Sequence, residues 1–173
     1  PNQYANPHNP AAHTKSTGPE IWEQTKGRIT HFIAGAGTCG SLTGTGRYLK
    51  SMNPDIKIIA ADPEKSVFSG GSGRPYLVEG VGEDFFPAAY DGDLWDEVLP
   101  VSDEESFLMA RYVSETEGIL IGGSGGTAVA AALKVAKDAD DDAVIVVFNP
   151  DSGRAYLSTV SHAHGQSNSG GLK

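Results

Sequence analysis

Cysteine is nearly absent: Cys39 is the only one in 173 residues. A single thiol excludes a disulfide framework within the chain and any Cys-rich zinc site. It fits a reducing compartment, so a cytoplasmic setting is expected. Positive charge is also scarce, with Lys+Arg at 13 against Asp+Glu at 22, a net charge of −9. A nucleic-acid binder would carry a basic patch, and a surface that holds anionic lipid would be basic too, so neither partner is expected. Long apolar runs are missing: Ala143–Phe148 is among the longest, far short of the roughly 18–20 residues of a membrane span. The first residues, Pro1-Asn2-Gln3-Tyr4, form neither the basic nor the apolar region of a signal peptide and contain no initiator methionine. An excerpt of a longer protein is therefore expected. The five histidines have no regular spacing, and no metal site is expected.

What the chain has in excess is glycine, 22 of 173 residues, where roughly 7% is usual. The glycines concentrate in a few loops between apolar segments. Thr17–Lys26, Leu42–Met52, Ser102–Glu117 and Thr127–Lys137 read as helices. Ser102 and Glu105 form a capping box at the start of the third, and Gly118 stops it. Thr30–Ala34, Lys57–Ala61, Glu97–Val101, Ile119–Ile121 and Ala143–Phe148 read as strands. Residues 1–16 read as an extended lead-in, residues 63–96 as irregular, and a short helix is expected after Asn149–Gly153, ending near Val160. Strands alternating with helices imply parallel pairing and right-handed crossovers. The expected fold is α/β, a three-layer αβα domain with a parallel sheet over residues 1–160, followed by a disordered tail at 161–173. Ligands of such sheets bind beyond the carboxyl ends of the strands. The loops Gly35–Ser41, Gly122–Gly126 and Asn149–Gly153 should therefore share one rim.

Gly35-Ala36-Gly37-Thr38-Cys39-Gly40 matches G-x-G-x-x-G after a strand, and Asp62 follows 22 residues beyond Gly40. That pattern is also the dinucleotide fingerprint with its ribose acid, so an NAD-binding module stands as one reading. The physics shared by every reading is an anion site: backbone N–H groups at a helix start with no Cβ in the way, joined by the hydroxyls of Thr38 and Ser41.

Gly37-Thr38-Cys39-Gly40-Ser41-Leu42-Thr43-Gly44 resembles the G-T-G-G-T-x-T-G phosphate loop of the fold-type II pyridoxal-phosphate enzymes, the cysteine synthase and cystathionine β-synthase family. Four further segments resemble that family in the same order: Asn2–Pro10 its Q-[YF]-x-N-x-x-N-P stretch, Glu79–Gly82 its E-G-[IV]-G loop, Gly122–Gly126 its G-G-S-[AS]-G loop, and Pro150–Tyr156 its P-D-S-x-R-x-Y turn. The resemblance implies pyridoxal 5'-phosphate as cofactor. Its phosphate would rest on Gly37, Thr38, Cys39, Gly40 and Ser41, Ser152 would hydrogen-bond the pyridine nitrogen, and Gly80, Val81 and Gly82 would lie near the substrate. Asp62 would then have no ribose to bind and would cap the turn before Pro63.

A neutral hydroxyl on the ring nitrogen makes the cofactor a moderate electron sink, suited to β-replacement on small amino-acid substrates. The Glu79–Phe85 loop resembles the cystathionine β-synthase branch (L-serine with homocysteine) more than the cysteine synthases (O-acetylserine), although Glu83 departs from the tyrosine of the animal enzymes. The family's Schiff-base lysine precedes the first motif, so no catalytic residue is expected here and the segment alone should be inactive. Lys50, Lys57 and Lys134 read as solvated surface charge. A homodimer or higher oligomer is implied for the full-length enzyme. A non-catalytic phosphate-loop module is the reading from another class. Cys39 stands where the family has glycine: either a small residue the loop tolerates, or a thiol activated by the helix start.

Overall fold

The computed structural model describes residues 2–73 and 75–157. The tail expected at 161–173 and the helix end expected near Val160 lie outside the described residues. Four strands, β1 (His31–Gly35), β2 (Lys57–Pro63), β3 (Glu97–Val101) and β4 (Ile145–Val147), form one sheet in the order β3-β2-β1-β4. Every pairing is parallel. The helices are α1 (His8–Lys15), α2 (Thr17–Gln24), α3 (Gly40–Met52), α4 (Asp103–Glu117) and α5 (Gly123–Ala136), with a short 3-10 helix at Gly153–Tyr156.

Successive residues of a strand face opposite sides of its sheet, and the apolar strands of this one separate two cores accordingly. Phe32, Ala34, Ile58 and Ala60 pack with Leu42 and Leu49 of α3 and with Ile21 and Trp22 of α2. Ile33, Ile59 and Ala61 pack with Ala128, Ala131 and Ala132 of α5 and with Met109 of α4. The result is the three layers expected from the alternation of elements.

Several elements depart from the sequence reading. Residues 1–16 are not an extended lead-in, because α1 lies within them and rests on α3. A Cβ at Gly44 would stand 2.1 Å from the Pro10 carbonyl oxygen, so glycine is what lets the two helices meet. Thr14 Oγ1 donates to the Gly44 carbonyl across that contact at 2.9 Å. Helix α2 starts at Thr17 as expected but ends at Gln24, and the Thr17 hydroxyl is 2.9 Å from His13 Nδ1. Ile119–Ile121 is not a strand: only Ile121 pairs, in a single antiparallel bridge to Ser152. Gly122–Gly126 is not a loop but the start of α5, whose glycines bring it against α4.

The Ser102–Glu105 capping box is present in both directions, with Glu105 N–H donating to Ser102 Oγ at 3.2 Å and Ser102 N–H to Glu105 Oε2 at 3.0 Å. Gly118 closes α4 in the left-handed region at φ 69°. Among the described residues, no helix is long and apolar enough to cross a membrane.

Candidate cofactor site

Strand order locates the crevice. From β1 the chain moves outward to β2 and β3, then returns to pair β4 on the other side of β1. The direction of winding thus reverses between β1 and β4, where parallel α/β sheets open a crevice beyond the strand ends. The turns leaving these two strands carry Gly37–Ser41 and Ser152.

The glycine turn runs straight into α3. Cys39 immediately precedes that helix in the left-handed conformation, φ 64° and ψ 0°, a region that costs an L residue about 1–2 kcal/mol and glycine almost nothing. The opening N–H groups of a helix have no partner within it, and here they follow a turn of small residues. Facing them is the irregular connection between β2 and β3. Gly80 and Gly82 both have positive φ, 84° and 78°. The N–H of Gly82 donates to the Ala36 carbonyl at 2.7 Å, and buried Val81 occupies the space beside Gly35. A cleft of about 370 Å³ opens between the two segments, lined by Gly37, Thr38 and residues 76–83, with Gln3 and Tyr4 at one side. Its volume lies within the usual range for a small-molecule site.

The second glycine segment and the last turn reach the same rim. Gly80 faces Ser124 at the start of α5. A Cβ on Gly125 would stand 2.9 Å from Asn149 Oδ1, and one on Gly122 would meet the Asp151 carboxylate. Ser152 is exposed beside them. Its hydroxyl accepts from the Arg154 N–H at 3.3 Å, capping the 3-10 helix. Next to it Tyr156 donates to Asp151, and that hydrogen bond, with burial and the carboxylate charge, pushes the phenol up to about 12.

Two residues of the sequence reading change character. Cys39 is not an activated thiol. Its side chain is buried, Sγ donates to the Gly37 carbonyl at 3.3 Å, and burial together with the Glu83 and Asp62 carboxylates pushes the thiol well above its ordinary range. Asp62 is not a turn cap. It pairs with Pro100 inside β2, is fully buried, and accepts from Ser69 Oγ at 2.7 Å. An acid sealed in this way cannot bind a ribose, which removes the support for a dinucleotide.

The lysines are better paired than expected. Lys50 contacts Asp96 at 2.7 Å and Lys134 contacts Glu105 at 3.1 Å. No lysine or arginine is among the described residues lining the cleft, whereas Glu79 and Glu83 are. The sequence reading assigns no role to Asn9, Gln3 or Tyr4. Asn9 Nδ2 donates to Thr38 Oγ1 at 3.2 Å, and Gln3 and Tyr4 reach the cleft itself. The signal for them is the Asn2–Pro10 motif, which stands in the same ordered set as the glycine turn.

A parallel α/β sheet with a glycine turn and a helix start at its switch point defines a class of domain that takes a phosphate-bearing ligand by its backbone. The particular family follows from comparison: the family model described as pyridoxal-phosphate dependent enzyme matches residues 1–151, and the chain belongs to that family. It is 45% identical to a cystathionine beta-synthase of Apis mellifera, over 90% of this chain and 32% of the relative. It is 40% identical to a cysteine synthase of Staphylococcus aureus, over 92% of this chain and 52% of the relative. The crystal structure of a cysteine synthase from Entamoeba histolytica superposes with a TM-score of 0.90 at 38% identity, over 93% of this chain and 48% of that one. The chain thus spans between about a third and about half the length of these relatives. The family's cofactor is pyridoxal phosphate, and the cleft fits it: the Thr38 hydroxyl lines it beside the turn that leads into α3, and Gly37 leaves open a space that a Cβ, 2.8 Å from the Gly80 carbonyl oxygen, would close.

Proposed function

We propose that the protein to which this chain belongs catalyses pyridoxal-phosphate-dependent β-replacement, forming cystathionine from L-serine and homocysteine. The observation that carries the reading is the cleft between the Gly37–Ser41 turn and the Glu79–Glu83 segment, lined by Gly37 and Thr38 just ahead of α3, with no lysine or arginine among the described residues that line it. Bound there, pyridoxal phosphate supplies the electron sink that lets the β-substituent of an amino acid depart.

The residues of this chain bind and orient. The Gly37–Ser41 turn holds the phosphate dianion at the positive end of α3 through its N–H groups other than that of Gly40, which points at Thr38 Oγ1. The Ser152 hydroxyl donates to the pyridine nitrogen while still accepting from Arg154 N–H, because a serine hydroxyl has both capacities. Gly80, Val81 and Gly82 border the amino-acid substrate, and their backbone leaves room where a side chain would intrude. Cystathionine formation is favoured over cysteine formation by the Glu79–Phe85 segment and by the higher identity to the cystathionine beta-synthase relative.

Intact protein, purified and supplied with L-serine and L-homocysteine, should show the visible absorbance of bound cofactor and yield cystathionine by mass spectrometry. Turnover of O-acetylserine and sulfide alone would move the reading to cysteine synthesis. No bound cofactor and no product with either pair would overturn it.

A further inference from the structure

Asn9 stands in the first turn of α1, at the point where α1 meets the start of α3. Its amide orientation is settled by its neighbours. The Gln3 carbonyl, which only accepts, lies 2.9 Å from the side-chain nitrogen, so this atom is the NH₂ group. The same nitrogen is 3.2 Å from Thr38 Oγ1 and donates to it. The Gly40 N–H points at that oxygen as well, from 3.5 Å, at the outer limit of a hydrogen bond.

A threonine hydroxyl has two acceptor lone pairs and one hydrogen. Two N–H groups directed at Thr38 Oγ1 occupy its acceptor side. What remains is the O–H hydrogen, on a residue that lines the cleft. Asn9 cannot drift from this arrangement. Thr14 Oγ1 ties α1 to the Gly44 carbonyl at 2.9 Å, and Gly40 lies so close that a Cβ there would overlap the Asn9 amide.

We propose that Asn9 is a positioning residue which fixes the polarity of the Thr38 hydroxyl, making it a committed hydrogen-bond donor to an anionic oxygen in the cleft. The inference rests on the reading of the cleft as the cofactor's phosphate site. It gives specificity by charge type: a ligand that presents only acceptor oxygens there is matched, and one that presents a donor meets a hydroxyl with no acceptor side free.

The test is a double-mutant cycle on the intact protein, read as the dissociation constant of pyridoxal phosphate by fluorescence titration. Pyridoxal, which lacks the phosphate, is titrated alongside. Thr38→Val should weaken pyridoxal phosphate about tenfold or more, the loss of a charge-assisted hydrogen bond. Asn9→Leu, close to asparagine in shape, should weaken it roughly threefold or more in the presence of Thr38 and have almost no further effect in the Thr38→Val background. Pyridoxal affinity should be the same in the wild-type protein and in Asn9→Leu. Asn9→Ala is measured in parallel because it cannot overpack against Gly40, and circular dichroism follows the fold of each variant. Equal losses from the Asn9 variants in both Thr38 backgrounds, or an equal loss for pyridoxal, would overturn the positioning role while leaving the cofactor site in place. Unchanged affinity in Thr38→Val would overturn the phosphate reading itself.

Discussion

Asp62 carries an ionisable group into an apolar place. It is fully buried in β2 and receives a hydrogen bond from Ser69 at 2.7 Å, but Oδ1 has no hydrogen-bond partner among the described residues. Burial, with the nearby Glu83 charge, outweighs the hydrogen bonds and raises its pKa to about 6, against about 3.9 in an unfolded chain. Between those values the folded state holds more protons than the unfolded one, so stability falls as pH rises from about 4 to about 6, and the penalty is complete above that window. Two pKa units correspond to about 3 kcal/mol at most. Asp62→Asn should therefore be more favourable relative to wild type at pH 7.5 than at pH 4.5, by about 2 kcal/mol in urea unfolding. A difference between the two proteins that is the same at both pH values would show that Asp62 is not the group responsible. None of this burial was legible in the sequence, where an acid before Pro63 reads as a turn. Cys39 was not legible: the sequence offered a tolerated small residue or an activated thiol, whereas the residue sits at a left-handed φ of 64° and its burial pushes the thiol up.

At the level of elements, glycine misleads a sequence reading wherever it serves helix contact rather than chain reversal. Gly122–Gly126 has the composition of a loop, yet four of its residues are in α5 because α4 presses against them. A Cβ on Gly126 would stand 2.0 Å from the Ser106 carbonyl oxygen, whereas one on Gly118, at the end of α4, would meet nothing within 4 Å. The two positions predict losses of different size and cause from one residue type. Helix propensity alone favours alanine over glycine at 126 by about 1 kcal/mol, but the clash with backbone should reverse the sign and leave Gly126→Ala destabilised by about 2 kcal/mol or more. Gly118→Ala should lose only about 1 kcal/mol, the strain of φ 69°. Midpoints of urea unfolding with an unchanged slope would check both. A Gly126→Ala protein as stable as wild type would mean that the α4–α5 contact is looser than described. The start and stop of α4 were readable because capping is local chemistry. Helix α1 was not, because its Asn-, Pro- and His-rich residues show no apolar period, and what holds it is the glycine face of α3.

On the scale of the whole molecule, the two-faced sheet was legible from its apolar strands, and the rim carrying the site from the rule that parallel strands bind ligands past their carboxyl ends. The order of the strands was not legible, since no local pattern says that β4 returns to pair β1. Charge is a property of the same scale. The chain carries −9, and Glu79 and Glu83 border the cleft. On the proposed reading, a phosphate dianion would approach a repulsive field and be held by N–H groups that act only at contact. Salt shortens the reach of net charge from about 30 Å at 0.01 M to about 8 Å at 0.15 M, while hydrogen bonds at a helix start, effective within about one turn, lose much less. Pyridoxal phosphate binding to the 173-residue chain should therefore tighten on raising sodium chloride from about 0.01 to about 0.15 M, by roughly threefold or more, and pyridoxal, without the dianion, should respond less. Weaker binding at the higher salt would mean that a cationic side chain, rather than the backbone of the glycine turn, holds the phosphate.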